Sequence, residues 1–409
     1  MEINSGDNAF LIISAALVMF MTPGLALFYG GMVRAKNVLG TIMQSFFILA
    51  VVSILWAVAG YSLAFGPDIG GFVGGLDWAG LSGVGQEPFD GYAPGVPHLS
   101  FMVFQAMFAV ITPALITGAF AERMRFNGFL AFTVLWSLLV YSPVAHWVWG
   151  IGGWIRALGA LDFAGGTVVH INAAAAALAA TVVVGRRRDL SSTALGPHNL
   201  PLTVLGAAIL WFGWFGFNAG SALTAGGLAA NAFVATHLAA AAATVAWVVV
   251  EWAHRGKPTT LGAVSGCISG LVAITPAAGF VSAMPAICIG LAAGAVCYGA
   301  VQMKWRLGYD DSLDAVGVHG AGGITGALLT GVFASSLVNE AAADGLLFGN
   351  ASQLAVQTIA VVATAAYSFA LSFALLKLVD AVFGLRVDVE EESIGLDLTQ
   401  HSETGYAIL

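Results

Sequence analysis

The sequence predicts an all-α polytopic membrane protein with eleven transmembrane helices. Of its 409 residues, 59% are hydrophobic and 9% are charged, whereas soluble domains carry about 45–50% apolar and about 25% charged residues. The mean hydropathy is +0.89, so there are too few polar residues to cover a water-facing surface. Long apolar runs recur along the chain, without the alternation of membrane β-barrel strands. A soluble enzyme is therefore excluded, and no enzymatic activity is expected.

Eleven segments are apolar over about the 20 residues that a spanning helix needs. In chain order they are Ala9–Met32, Leu39–Phe65, Leu99–Ala121, Gly128–Trp147, Gly165–Gly185, Leu200–Leu223, Leu228–Ala253, Leu261–Ala278, Ser282–Val301, Ala315–Val338 and Ala351–Phe383. The first has no small-residue cleavage site, so it is predicted to be a retained helix and not a signal peptide. The 52 glycines favour closely packed helices, because small residues let backbones approach.

Lysine and arginine fall almost entirely on one side of these segments. That side holds Arg34, Lys36, Arg123, Arg125, Arg186, Arg187, Arg188, Arg255, Lys257, Lys304, Arg306, Lys377 and Arg386. The other side holds Arg156 alone. Because basic residues are retained in cytoplasmic loops, we expect an external N-terminus, a cytoplasmic C-terminus and insertion in the cytoplasmic (inner or plasma) membrane. The net charge of −8 argues against nucleic acid as a partner.

The predicted spans divide the chain into one transporter domain and a tail. The domain covers residues 1–383, with inverted repeats at about 9–185 and 200–338 and a last helix at about 351–383. The segment between the second and third spans, 66–98, is expected to form an ordered extracellular cap. Residues 384–409 form a polar cytoplasmic tail with three consecutive glutamates. Two interpretations stay open for it, a solvated end or a regulatory contact surface.

Two histidines at membrane depth carry the inverted-repeat prediction. His170 and His319 lie five spans apart, and an aspartate precedes each by eight residues, Asp162 and Asp311. Since five is odd, the two halves have opposite topology, as in transporters whose sites lie at a repeat interface. Ionisable residues at this depth indicate function, although either histidine alone is more simply a core residue. Two facing imidazoles could share and relay a proton. No third ligand completes a metal site, and no cofactor is expected.

Three aromatic stretches fall at the predicted extracellular ends of the spans. They are residues 104–108, 146–150 and 211–221. An interfacial aromatic belt explains Trp147 and Trp211 most simply. Aromatic faces also attract cations, by about 2 kcal/mol or more when desolvated. Rings without a carboxylate among them would suit a small, weakly held cation that is released quickly.

Four segments together resemble the ammonium transporter family (Amt/Mep/Rh), in its bacterial Amt-type form. They are Phe20–Gly31, Asp162–His170, Gly213–Ser221 and Gly317–Gly320, and the resemblance runs from the first span to the tail. It implies a homotrimer in the lipid membrane, with one pore per subunit through the five-plus-five repeat. It also implies a possible PII-type signalling protein as partner at the cytoplasmic face. Ser402 stands where the family usually has glycine, so the docking of the tail is expected to differ in detail.

The resemblance also implies roles for individual residues. It assigns external cation recruitment to Phe108, Trp149, Ser221 and Asp162, the gate to Phe108 and Phe217, and the pore to His170, His319 and Trp214. The implied substrate is ammonium or ammonia, with methylammonium as an analogue. Asp311 and Asp314 are expected to anchor structure on the cytoplasmic side.

The expected mechanism follows from the chemistry of ammonium. Ammonium can lose a proton and cross a dry pore as ammonia, whereas potassium has no neutral form and bears the full desolvation cost, several kcal/mol at least. We expect the cation to be deprotonated and the pore to conduct ammonia, with net electrogenic transfer of ammonium. An electroneutral ammonia gas channel and an ammonium sensor (transceptor) stay open as alternatives. A cation-coupled carrier of organic solutes would need a larger polar site, and a carbon dioxide channel fits the aromatic site least.

Overall fold

The computed structural model describes residues 2–188, 190 and 196–406. Within this part of the chain, ten helices are long and apolar enough to cross a membrane, and a shorter apolar helix lies between the seventh and the last three. They are α1 Ser5–Met32, α2 Ala35–Phe65, α3 His98–Phe120, α4 from Phe126 to Trp149, α5 Gly166–Val184, α6 Leu200–Gly220, α7 Gly227–Arg255, α8 Thr260–Ile274, α9 Ala283–Leu307, α10 Val316–Phe333 and α11 Ala351–Phe383. The predicted all-α polytopic fold class is confirmed.

Two predicted spans are too long. The eighth, predicted to reach Ala278, ends at Ile274 as a helix of 15 residues, because Pro276 follows and proline lacks the amide hydrogen that a helix needs. The tenth, predicted to reach Val338, ends at Phe333. In both places apolar residues continue into turns, so hydropathy alone overestimates the length of the helix.

Helices α5 and α10 begin in the same unusual way. Their first turns, Gly166–Ile171 and Val316–Gly320, are π-helical, and each contains one of the two histidines. An aspartate before each turn accepts hydrogen bonds from the first backbone N–H groups, Asp162 in α5 and Asp311 in α10. Single π-turns are rare and often occur at functional sites. The Asp–His spacing seen in the sequence thus corresponds to one local structure built twice.

Residues 66–97 form a folded cap over one end of the helices. Strand β1 (Asp68–Ile69) pairs with β2 (Val73–Gly74), and β3 (Pro88–Phe89) pairs with β4 (Ala93–Pro97), both antiparallel. Trp147 of α4 donates its indole N–H to the Phe72 carbonyl, with the nitrogen 2.7 Å from the oxygen, and it is buried. The belt interpretation of Trp147 is therefore wrong, because this ring packs under the cap.

The tail folds back onto the opposite end of the bundle. Two short helices, α12 (Val389–Ile394) and α13 (Leu396–His401), lie against the start of α2. The Asp397 carboxylate accepts hydrogen bonds from the backbone of Leu39 and Gly40 at 3.0 and 2.8 Å. Glu392 and Asp397 are buried. A solvated tail is thus excluded for this stretch, while residues 407–409 lie outside the described part.

A buried ion-pair network joins four loops at the same end as the tail. Arg187 contacts Asp310 at 2.8 Å and Glu122 at 3.2 Å, and Arg34 contacts Glu122 at 3.0 Å. Burial by itself would raise the pKa of Asp310, but its hydrogen bonds to Arg187 and the nearby charge of Arg123 lower that pKa to about 2. The loops before α2, α4, α6 and α10 are therefore fixed to one another at this face.

Candidate functional site

A cavity of about 250 Å³ lies beneath the cap, between the ends of α3, α4 and α6. It is lined by all four residues assigned to cation recruitment, Phe108, Trp149, Ser221 and Asp162. These residues come from four different segments of the chain. The structure thus brings the predicted outer site together in one place.

The indole of Trp149 is held in a fixed orientation at this cavity. Its Nε1 donates to the Asp162 carbonyl at 2.9 Å, and its ring meets Phe108 edge-on, with centroids 5.8 Å apart and planes at 89°. The Arg156 guanidinium donates to the Trp149 carbonyl at 2.6 Å. Because the indole N–H is engaged in the bond to Asp162, it is not available as a donor to a molecule in the cavity.

Ser221 and Gln105 both line the same cavity. The Ser221 hydroxyl donates to the Phe217 carbonyl at 2.8 Å, so its oxygen keeps lone pairs that can accept an N–H group. Gln105 lines the cavity, and its Oε1 is buried without a hydrogen-bond partner in the described structure. The Ser221 oxygen can therefore accept an N–H group from a molecule in the cavity, which suits a ligand that carries N–H donors.

The Asp162 carboxylate is directed at the start of α5. One oxygen accepts from the backbone N–H groups of Gly165 and Gly166, at 2.8 and 2.6 Å. The other accepts from Thr167, through both its N–H at 2.8 Å and its hydroxyl, and from the Val168 N–H at 3.2 Å. Five donors thus surround one carboxylate. Its direct bonds are structural, and any effect on a cation in the cavity acts through space.

Phe108 and Phe217 separate the outer cavity from the interior. Their ring centroids are 4.3 Å apart, and each ring is 1% exposed. Phe108 lines the outer cavity, and Phe217 lines the next cavity inward. The two rings thus lie in contact between the two cavities.

Beyond the ring pair lie two very small cavities in series. The first, about 10 Å³, is lined by apolar side chains together with Trp214 and the two histidines. The second has the same volume and contains His319 and Asp314. Each volume is about what a single water molecule needs. Asp314 then lines a larger cavity, about 570 Å³, at the face where the tail docks.

The two histidine rings lie in contact along this path. Their Nδ1 atoms are 3.3 Å apart, and the rings are nearly parallel, at 11°. Since one Nδ1 must donate and the other accept, two neutral rings hold one proton between them. Trp214 stacks on His170, with centroids 5.5 Å apart, and donates its N–H to Thr275 at 2.9 Å. The Nε2 atom of His170 is buried without a partner in the described structure.

Two residues at this site were not predicted from the sequence. Thr167 bonds Asp162 twice, and Gln105 lines the outer cavity. Gln105 had a detectable signal, since it is a polar residue inside an aromatic apolar run. Thr167 lies within the segment that carries the family resemblance, but a threonine near an aspartate gives no specific signal by itself.

Known proteins are similar to this chain over nearly its whole length. The model of the Ammonium Transporter Family matches residues 9–406. An "Ammonium transporter" of Bacillus subtilis is 57% identical over 402 residues, which is 98% of each chain. A crystal structure of Saccharomyces cerevisiae Mep2 has a TM-score of 0.89 at 35% identity, over 95% of this chain and 89% of that one. A structure titled "Sensor Amt Protein" has a TM-score of 0.88 at 30% identity, over 97% and 98%. The chain therefore belongs to the ammonium transporter family.

Proposed function

We propose that the protein binds ammonium at the outer cavity, removes one proton and conducts ammonia through the histidine-lined path, with net electrogenic transfer of ammonium. The observation that carries this proposal is the direct contact of His170 and His319 inside a path whose cavities hold about 10 Å³ each. Such a path admits ammonia and offers no room for a hydrated ion.

Recruitment of the cation rests on the faces of Trp149 and Phe108 and on the Ser221 oxygen. A desolvated cation–π contact contributes about 2 kcal/mol, and the Ser221 lone pairs accept one N–H bond. Among the described residues that line the cavity, the one carboxylate, that of Asp162, is surrounded by five donors and forms no tight ion pair with the cation. Binding is accordingly weak, which permits rapid release toward the pore.

Selectivity follows from the closed ring pair and the dry path behind it. A cation that passes Phe108 and Phe217 loses its water and gains only two neutral imidazoles. The desolvation cost is several kcal/mol per ion, and potassium cannot reduce it. Ammonium reduces it by breaking one N–H bond: the electron pair stays on nitrogen, and the proton passes to the unpartnered Nε2 of His170. Ammonia then crosses and takes up a proton at the other end.

The histidine pair supplies the route for the proton. When a proton binds to the unpartnered Nε2 of His170, a different proton, the one held between the two Nδ1 atoms, can move to His319. The charge is in this way passed from one histidine to the other. This coupling makes the transfer electrogenic. If the proton stayed outside, the protein would be an electroneutral ammonia channel, and ammonium binding without flux would indicate a sensor.

The remaining features of the proposal concern the assembly. We place the N-terminus outside and the tail in the cytoplasm of the cytoplasmic (inner or plasma) membrane, with eleven spans per subunit and a homotrimer embedded in lipid. The tail, residues 384–409, whose described part 384–406 is folded, is then a regulatory surface, accessible to a PII-type signalling protein where the cell has one.

Electrical recording tests the proposal. Purified protein is reconstituted in liposomes on a supported membrane, and ammonium-evoked current is compared for the parent, His170→Ala, His319→Ala and His254→Ala. The first two variants should lose the saturable current, while His254→Ala, which lies outside the small cavities, should keep it. Undiminished current in both pore variants, with potassium still excluded, would refute the relay. Absence of current in the parent, together with ammonia flux, would favour the electroneutral channel.

A further inference from the structure

Helix α11 carries two buried glutamines, although it belongs to neither predicted repeat. Gln353 and Gln357 are 3% and 2% exposed. Polar side chains within membrane helices are costly and are retained for specific contacts. The expected eleven-span repeat pattern gives α11 no role, so its polar face needs an explanation.

The Gln357 side chain joins segments from both repeats. Its Oε1 accepts from the Leu161 N–H at 2.7 Å, and its Nε2 donates to the Leu161 carbonyl at 2.8 Å. The same Nε2 donates to the Ala327 carbonyl on α10 at 3.0 Å. Leu161 directly precedes Asp162, whereas Ala327 lies on the helix that begins with the His319 turn. One amide therefore links the structures that carry the two histidines.

Neighbouring contacts make this link rigid. Gln353 donates to the Gly159 carbonyl at 3.0 Å and to Gln357 at 3.3 Å. A Cβ atom placed on Gly331 of α10 would lie 3.0 Å from the Cγ of Gln357, so glycine allows this close approach of α10 and α11. Farther along α11, Ser368 donates to the Asn172 carbonyl on α5 at 2.7 Å. The polar face of α11 thus contacts both histidine-bearing helices.

We propose that Gln357 is a positioning residue, which holds the loop before Asp162 and fixes α5 relative to α10, and thereby sets the spacing of the histidine pair. The functional part of this inference rests on the proposed transport mechanism, because the pair matters only if protons or ammonia pass it. The structural part does not depend on transport.

The test combines a flux measurement with a geometric one. Gln357→Met keeps the approximate length of the side chain and removes all four of its hydrogen bonds. Thr358→Val is the matched control, since Thr358 is exposed and its hydroxyl bonds only to Leu354 of its own helix. In reconstituted full-length protein, Gln357→Met should lower the maximal methylammonium flux at least tenfold with a smaller change in half-saturation, and the control should match the parent.

A disulfide reports the spacing of α5 and α10 without relying on transport. A Cβ on Gly320 would lie 3.1 Å from the Cβ of Ala174, so paired cysteines at these positions should cross-link under mild oxidation once Cys267, Cys288 and Cys297 are replaced by alanine. Adding Gln357→Met should lower the yield several-fold. An unchanged yield, or unchanged flux despite a lower yield, would overturn the proposal.

Two further outcomes keep the inference separable from the proposed function. If the parent shows no flux at all, the proposed function fails, and the cross-linking yield alone decides whether Gln357 positions the helices. If Gln357→Met is not recovered folded, Gln357→Asn takes its place, since it keeps the amide but shortens the side chain by one methylene group, so that it cannot bond Leu161 and Ala327 together. Parent-like cross-linking and flux in that variant would overturn the proposal.

Discussion

Replacing Asp162 by asparagine tests how a buried carboxylate organises the outer site. Each carboxylate oxygen accepts backbone N–H groups, from Gly165 and Gly166 on one side and from Thr167 and Val168 on the other. Asparagine keeps one oxygen and places an NH₂ group where the other was. Because both oxygens accept backbone bonds, asparagine can preserve only half of this arrangement.

The magnitude follows from the number of donors left without a partner. In Asp162→Asn the N–H groups of Thr167 and Val168 lose their acceptor, and each unsatisfied buried group costs about 1–3 kcal/mol. The expected loss is therefore about 2–6 kcal/mol of folding free energy. Asp162→Ala leaves all four backbone donors without an acceptor and should cost about twice as much. Transport should fall at least tenfold in the asparagine variant, because the loosened loop carries the Asp162 backbone carbonyl that fixes the Trp149 indole.

The second copy of this local structure, at the start of α10, provides the matched control. Asp311 occupies the equivalent position in α10, but each of its oxygens accepts only one backbone N–H, from Ala315 at 3.1 Å and Val316 at 2.7 Å. Asp311→Asn should therefore lose one bond and about 1–3 kcal/mol. Thermal melts of the purified variants and methylammonium uptake after reconstitution measure both effects. The count of unsatisfied donors is refuted if the melting temperature of Asp162→Asn equals that of the parent. It is also refuted if the decrease in melting temperature is no larger in Asp162→Asn than in Asp311→Asn.

Three further predictions follow from other contacts. Trp149→Ala should raise the half-saturation concentration for methylammonium without closing the pore, and unchanged uptake kinetics would show that the ring face does not bind the cation. Ser402 has a φ of 56°, and this left-handed backbone costs a non-glycine residue about 1–2 kcal/mol. Ser402→Gly should therefore stabilise the docked tail and slow its cleavage by protease. Equal cleavage rates in the variant and the parent would refute the strain. The pKa of Asp310 is held near 2 against about 3.9 in an unfolded chain, so its ion pair with Arg187 stabilises the fold above about pH 4 and is lost toward pH 2. The difference in melting temperature between the parent and Asp310→Asn should accordingly narrow as the pH falls from 4 to 3, and a constant gap would contradict this.

The sequence determined the fold class and the location of most helices. The thickness of a bilayer fixes how long an apolar run must be, so composition and run length were sufficient to place ten long helices. They failed at Ile274 and Phe333, where apolar residues continue into turns. The repeated spacing of Asp162 to His170 and Asp311 to His319 was also visible, because a local structure built twice leaves the same residues at the same interval.

Only the tertiary structure decided how these residues meet. His170 and His319 are separated by 149 positions, and their contact depends on how α5 and α10 pack and on the side-chain conformations. The use of both Asp162 oxygens and the bonds of Gln357 to Leu161 and Ala327 likewise arise from backbone groups brought close by folding. Hydropathy records whether a residue is apolar and not which donor faces which acceptor. For that physical reason the sequence located the histidines and the aromatic residues, whereas the structure alone decided how they are held in place.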